Sequence, residues 1–165
     1  MEAYNFYVVG LGRWLHIMAG VMWIGLLYYF NFVQVAAMKD AGADGTAAGI
    51  SKHVAPRALF YFRWAALVTW VAGAMILGSN FGNAFLLQKS HMAIGIGAWL
   101  GTIMFVNVWG LIWPNQKKIL GIVPASDEEK IRARRTAFLA SRTNTALSIP
   151  MLFFMTAGAH SGLYF

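Results

Sequence analysis

Long apolar runs without charge dominate this sequence. Four stretches contain no Lys, Arg, Asp or Glu, and they cover 14–38, 64–88, 90–116 and 143–165. Each exceeds the roughly 20 residues that an α-helix needs to cross the hydrocarbon core of a bilayer. The pattern predicts an all-α integral membrane protein, a single domain over 1–165 that packs as a four-helix bundle. Its transmembrane helices are predicted at about 12–38, 57–79, 89–113 and 143–163.

A polar, basic segment separates the third and fourth predicted spans. Pro114 ends the third span, and Ser126 stands three residues before Glu129, which is the spacing of a capping box. The segment from there to about Arg142 predicts a cytoplasmic amphipathic helix that precedes the fourth transmembrane helix.

The basic residues fix the predicted orientation. The chain has 13 Lys and Arg against 6 Asp and Glu, a net charge of +7. All the basic residues except Arg13 and Lys89 lie in the two connections that follow the first and third spans. Because basic connections stay in the cytoplasm, we expect a multi-pass protein of the bacterial inner membrane with both termini periplasmic. Topology and anionic lipid headgroups explain the charge without a nucleic-acid partner.

Overall composition removes several classes of protein. A content of 59% hydrophobic and 12% charged residues excludes an ordinary soluble domain. The chain contains no cysteine, which excludes disulfides, iron–sulfur clusters, thiolate metal sites and a covalently attached c-type haem.

Three of the four histidines are predicted to lie near the periplasmic end of the bundle. Counted from the inner ends of their helices at 1.5 Å per residue, His16 and His91 are each about 33 Å away, and His160 is about 27 Å away. His53 lies on the opposite side. Ionisable residues inside a membrane are candidates for function because burying them is costly.

Imidazoles from different helices at one depth are the arrangement that binds b-type haem, with two side chains bonding the iron. We therefore predict haem b bound by two of His16, His91 and His160. A copper or zinc site made by all three is an alternative on ligand type, although open sites of that kind usually add a carboxylate. The plainer interpretation is that each histidine is solvated or hydrogen-bonded at the interface.

A second group of polar residues lies toward the cytoplasmic ends, with Asn31, Arg57, Arg63, Asn107 and Asn144 as its main members. One interpretation is structural: the arginines extend to lipid phosphates and the amides pair between helices. The other is a pocket for a planar anionic or carbonyl-bearing substrate, since guanidinium and amide groups are directional donors.

Small residues and a weak internal repeat add detail. His16, Trp23 and Asn31 recur at nearly the same spacing as His91, Trp99 and Asn107. Glycines four residues apart, at 97 and 101 and at 158 and 162, allow close helix contact or room for a flat ligand.

Four segments resemble a known family. The runs RWLHIMAGVMWIGLLYYFNFVQ, VAPRALFYFRWAALVTWVAG, NVWGLIWPNQKK and SRTNTALSIPMLFFM are similar to the membrane domain of bacterial membrane-bound urate hydroxylases. These enzymes oxidise urate and pass electrons to a fused cytochrome c domain. The resemblance implies redox work in the membrane, with His16 near the outer face. It also implies an inner polar site, whose candidate substrate-binding residues are Asn31, Arg57, Arg63, Asn107, Lys117 and Asn144.

Family members are longer, with more membrane helices and a cytochrome tail. We therefore expect a shortened relative, a subunit, or a protein that gives electrons to a separate carrier such as a periplasmic cytochrome c. A looser similarity, limited to His16, Trp23, Gly25 and Tyr28, is to the small haem-dependent protoporphyrinogen oxidases.

The favoured function is a haem b electron relay in the bilayer. Two alternatives remain open: an oxidase acting on urate or protoporphyrinogen at the inner polar site, and a cofactor-free accessory subunit of a respiratory complex. Association as a homo-oligomer or within a larger membrane complex is compatible with each.

Overall fold

The computed structural model describes residues 5–160, with side chains over 7–157, and this part of the chain is helical without any strand. Four long helices follow one another. They are α1 (5–43), α2 (Ala47–Phe85), α3 (Lys89–Ile119) and α4 (Asp127–His160). The all-α prediction is confirmed.

Helix α1 continues farther than its apolar pattern predicts. It consists of Asn5–Leu11, Gly12–Tyr28, Tyr29–Gln34 and Val35–Ala43, of which the first and third segments are π-helical. Its last turns are polar but rich in alanine, the strongest helix former, so the helix extends past residue 38.

A short turn, instead of a long loop, connects α1 to α2. Gly45 adopts φ +81°, a conformation that favours glycine, and the Asp44 carboxylate accepts bonds from the Thr46 N–H and hydroxyl. The bond from the Thr46 hydroxyl contributes most, and together the two bonds lower the pKa of Asp44. Helix α2 begins at Ala47, ten residues before the predicted start at 57, because the AAG segment there is also helical. Its main α-helical part is Ala55–Leu77.

The connection between α2 and α3 is tightly folded. Helix α2 breaks at Gly78, where φ is +50°, and continues through Gly78–Asn80 and Phe81–Phe85. Helix α3 then runs through Lys89–His91, Met92–Val106, the π-helical segment Asn107–Ile112 and Trp113–Ile119. Pro114 comes just after the π-helical segment and is accommodated inside α3, so the helix does not end there as predicted.

Helix α4 joins two predicted elements into one. The capping box forms as expected: the Ser126 N–H donates to the Glu129 carboxylate and the Glu129 N–H donates to the Ser126 hydroxyl. The first of these bonds, aided by Lys118, lowers the pKa of Glu129. The helix that starts here continues for 34 residues, because no helix breaker separates its basic half from its apolar half. Pro150 is accommodated inside it.

The helices pack as two hairpins that close into one bundle. Helix α1 packs along α2 and α3 packs along α4, while α2–α3 and α1–α4 contacts join the two pairs. The shared core contains large side chains from every helix, including Trp23, Leu27, Phe62, Met104 and Met151.

Three helices of the described chain are long and apolar enough to cross a membrane: Tyr7–Ala43, Ala47–Phe85 and Lys89–Ile119. Many large apolar side chains on them face outward, such as Trp14, Val21, Tyr61 and Val106. Exposure of this kind suits contact with lipid tails and not with water. The chain is therefore a membrane protein by the character of its helices.

Candidate functional site

His16 is held in one orientation by the backbone of α2. Its Nδ1 lies 2.8 Å from the Thr69 carbonyl oxygen. Because a carbonyl oxygen can only accept, Nδ1 carries a proton, and in the neutral ring the lone pair is then on Nε2. A histidine that binds a metal commonly donates its other ring N–H to a backbone carbonyl in this way. Nε2 of the half-buried His16 is therefore the ring atom that is not used in this bond.

A glycine makes this contact possible. Gly73 lies one turn after Thr69, and a Cβ at that position would come 3.0 Å from His16 Cε1 and 3.1 Å from Nδ1. The imidazole therefore rests directly on the α2 backbone, and any side chain at 73 would obstruct it. Neither Thr69 nor Gly73 was predicted to contact His16. The signal in the sequence is a glycine four residues after a threonine, on the helix that packs against the one carrying the histidine.

Substituting Gly73 should disturb His16 without changing the chemistry of the site. We expect Gly73→Ala to lower the free energy of unfolding by about 1–3 kcal/mol, because the added methyl overpacks the ring. Gly20→Ala is the matched control, since a Cβ there meets Thr69 at 3.7 Å, an ordinary contact. Thermal unfolding in detergent measures both variants. Equal stability of the two would show that Gly73 does not seat the imidazole.

The other histidines lie in different surroundings. His91 ends the short turn that opens α3, is half-buried, and has Nδ1 2.9 Å from the Ser90 hydroxyl. His53 is exposed in the turns that open α2. His160 is the last described position of α4, and its side chain lies outside the described part.

Contacts between helices indicate the relative depths of these residues. A Cβ on Gly97 would touch Met155, so the antiparallel helices α3 and α4 bring position 91 opposite the end of α4 near 160. On α2, Trp70 donates to Thr102 of α3, next to the Thr69 carbonyl that holds His16. His91 is thus at least a turn farther out along α3 than the level of His16. Within the described residues, no three His, Cys, Asp or Glu side chains lie close enough to hold a metal ion.

The inner amides are brought together by α4. Asn31 donates to the Ser141 hydroxyl at 2.7 Å, and Asn107 donates to the Asn144 Oδ1 at 2.9 Å. Asn144, which is fully buried, also donates to the Met104 carbonyl oxygen at 3.0 Å. These bonds join α1 and α3 to α4, which supports the interpretation that the amides pair between helices. Ser141 was not identified from the sequence.

A further polar contact extends the same seam. The Tyr28 and Ser148 hydroxyls lie 2.9 Å apart, and Ser148 is fully buried. Ser141, Asn144 and Ser148 are three and four residues apart, so they share one face of α4. We call the interhelical contacts of these three side chains the polar seam.

The basic candidates do not join the polar seam. The Arg63 guanidinium lies over the Trp113 ring, 3.8 Å from its centroid, where α2 meets α3. Arg57 is exposed and donates to the His53 carbonyl oxygen in its own helix. Lys117 is half-buried one turn beyond Trp113. The structure therefore separates the predicted inner site into paired amides and a basic group at the α2–α3 boundary.

The internal repeat has a structural counterpart. Asn31 lies within the π-helical segment of α1, and Asn107 begins that of α3. Such segments occur often at functional sites because they redirect side chains out of the regular helical register. Here they turn one amide from each helix toward α4.

Trp23 and Trp99, the other pair in the repeat, do not share their surroundings. The indole N–H of Trp99 donates to the Phe85 carbonyl oxygen, whereas that of the buried Trp23 has no partner in the described structure.

Comparison with known proteins gives one family. The model of the urate oxidase N-terminal family matches residues 79–165, which include the end of α2 and all of α3 and α4. The WPNQKK motif and the residues of the polar seam on α4 fall within this range. No curated protein and no solved structure matches the chain. Since the matched segment is more than half of its length, the chain belongs to the urate oxidase N-terminal family.

Proposed function

We propose that this protein is a haem b-binding redox protein of the membrane, an electron relay related to the membrane domains of urate hydroxylases. The observation that carries the proposal is the His16 imidazole, whose Nδ1–H is directed at the Thr69 carbonyl and whose Nε2 is left free. Family membership supports redox work in a membrane.

The chemistry of the donors suits a haem. Imidazole is an axial ligand of b-type haem, and this cysteine-free chain offers no thiolate to compete for the iron. His16 would supply one ligand. The second would come from His91 or His160, whose side chain would have to reach inward from a level at least one turn farther out. When bound, the haem would supply a reversible one-electron couple. The chain's own residues would hold it, orient it and exclude water.

The proposal includes a topology. The apolar half of α4, about 143–163, forms a fourth span, and the basic turns at the opposite end from His16 lie in the cytoplasm. Both termini are then periplasmic, and His16 is close to the surface that a periplasmic cytochrome c can reach. In this arrangement the polar seam fastens the helices together below the haem, and substrate oxidation at the inner end is not required.

Haem content after replacement of each histidine tests the proposal. We expect His16→Ala to lose most of its haem per protein, measured as the pyridine haemochrome of purified protein from cells supplied with haem precursor. One of His91→Ala and His160→Ala should show a similar loss. His53→Ala is the matched control and should retain the wild-type ratio, because His53 is exposed far from the others.

Two results would contradict the proposal. One is wild-type protein that contains no haem under these conditions. The other is His16→Ala protein that retains the wild-type ratio, which would remove the assignment of His16 as a ligand. Circular dichroism of each variant separates loss of the ligand from loss of the fold.

A further inference from the structure

The guanidinium of the half-buried Arg63 has no carboxylate partner among the described residues. Its Cζ atom lies over the Trp113 ring, 3.8 Å from the centroid, and over the Phe60 ring, 5.2 Å from the centroid. Among the residues that the structure describes, the ion pairs involve Lys118, Lys130 and Arg132, not Arg63. Stacking uses the faces of the guanidinium and leaves its N–H edge available. Five donors in a fixed fork thus have no anion to bind within the described chain.

An arginine without an anionic partner is unusual at the depth of Arg63. It lies six residues beyond Arg57 along α2, which is about 9 Å farther into the membrane-length segment. Its neighbours Phe60, Tyr61 and Trp64 are exposed aromatic side chains of the kind found where a bundle meets lipid. A cation that faces this boundary without a partner is costly. The site therefore needs an anion from outside the described chain.

A second cation lies one turn from the same tryptophan. Lys117 is one turn from Trp113 on α3, so it lies on the same face of that helix and closer to the basic end of the bundle. It is half-buried and belongs to none of the ion pairs within the described residues. Arg63 and Lys117 thus flank one tryptophan at the boundary between α2 and α3.

We propose that Arg63 and Lys117 form a binding site for the phosphate headgroup of an anionic phospholipid, with Trp113 as its platform. An arginine fork binds phosphate oxygens in bidentate fashion, and a lysine adds a point charge. Basic pockets between transmembrane helices on the cytoplasmic side bind such headgroups. The exposed aromatic side chains on α2 provide a surface for the acyl chains. A free phosphate ion shares the headgroup chemistry but does not have the acyl chains.

Thermal unfolding of the full chain in detergent tests the site. We expect phosphatidylglycerol to raise the unfolding temperature of wild-type protein, because a ligand that binds only the folded state stabilises it. Phosphatidylcholine and inorganic phosphate at the same concentrations should produce much smaller shifts. In Arg63→Gln the phosphatidylglycerol shift should fall to less than half. Arg134→Gln, an exposed arginine on α4, is the matched control and should keep the full shift.

Two further variants keep the test decisive if Arg63→Gln does not fold. Arg63→Lys retains the charge and should lose part of the shift, since it lacks the bidentate fork. Lys117→Gln removes only the second cation and should also lose part. The proposal is overturned if every variant responds like wild type, if phosphatidylcholine is as effective as phosphatidylglycerol, or if inorganic phosphate alone reproduces the shift. None of these readouts depends on haem.

Discussion

Gly95→Ala is expected to lower the free energy of unfolding by about 3 kcal/mol, because among the described glycines this position leaves the least room for a methyl group. A Cβ at this position would overlap the carbonyl oxygen of Ala84 and come within 2.9 Å of Leu87 Cδ2. The obstacle is backbone, which no rotamer change can move, and Ala84 is fully buried. The start of α3 would have to separate from the end of α2, which would open the connection beside His91.

Gly101→Ala on the same helix is the control. A Cβ there meets no atom within 4 Å, and alanine is the better helix former by about 1 kcal/mol. We therefore expect Gly101→Ala to be neutral or slightly stabilising in thermal or denaturant unfolding in detergent. If both variants lost similar amounts of stability, the contact of Gly95 with Ala84 would not be the reason for the effect of Gly95→Ala.

Asn144→Leu is expected to lower stability by about 2–3 kcal/mol, because the substitution leaves buried polar groups of α3 without a partner. Asn144 is 0% exposed, accepts from Asn107 and donates to the Met104 carbonyl oxygen. Interhelical bonds in membranes average less than 1 kcal/mol each, so the unpaired groups and not the bonds themselves account for most of the loss. Thr156→Val, which removes a hydroxyl bonded only within α4, should change stability by less than about 0.5 kcal/mol.

A double-mutant cycle with Asn107→Leu sharpens this prediction. When both amides are removed, neither leaves the other unpaired, so the loss in the double variant should be smaller than the sum of the single losses. Additive losses would show that Asn107 and Asn144 act independently and that the polar seam is not a connected unit.

Much of the fold could be predicted from the sequence because charge-free runs report directly on membrane helices. Three long apolar helices lie before residue 120, where charge-free runs occur in the sequence, and the capping box at Ser126 formed as predicted. The ends differed at Ala47 and Ile119, where helix propensity and a tolerated Pro114 extend the helices beyond the hydrophobic pattern. Hydrophobicity marks what lies in the membrane and not where a helix stops.

The candidate sites were less accessible to sequence reasoning. A count of residues assigns His16 and His91 one depth, but it does not include the bonds from His16 to Thr69 and from Trp70 to Thr102, which place His91 farther out along α3. Likewise, Asn31, Asn107 and Arg63 were grouped by depth alone, whereas helix rotation directs the amides at α4 and the guanidinium at Trp113. Depth can be counted from a sequence, but the direction of each side chain depends on packing.

The reduced-minus-oxidised absorption spectrum of the purified wild-type protein tests the central claim most directly. We expect the sharp α-band of a low-spin b-type haem to appear on reduction and to disappear on reoxidation, with the haem extractable by acidic acetone because no cysteine tethers it. A flat difference spectrum from folded protein made with abundant haem would contradict the account.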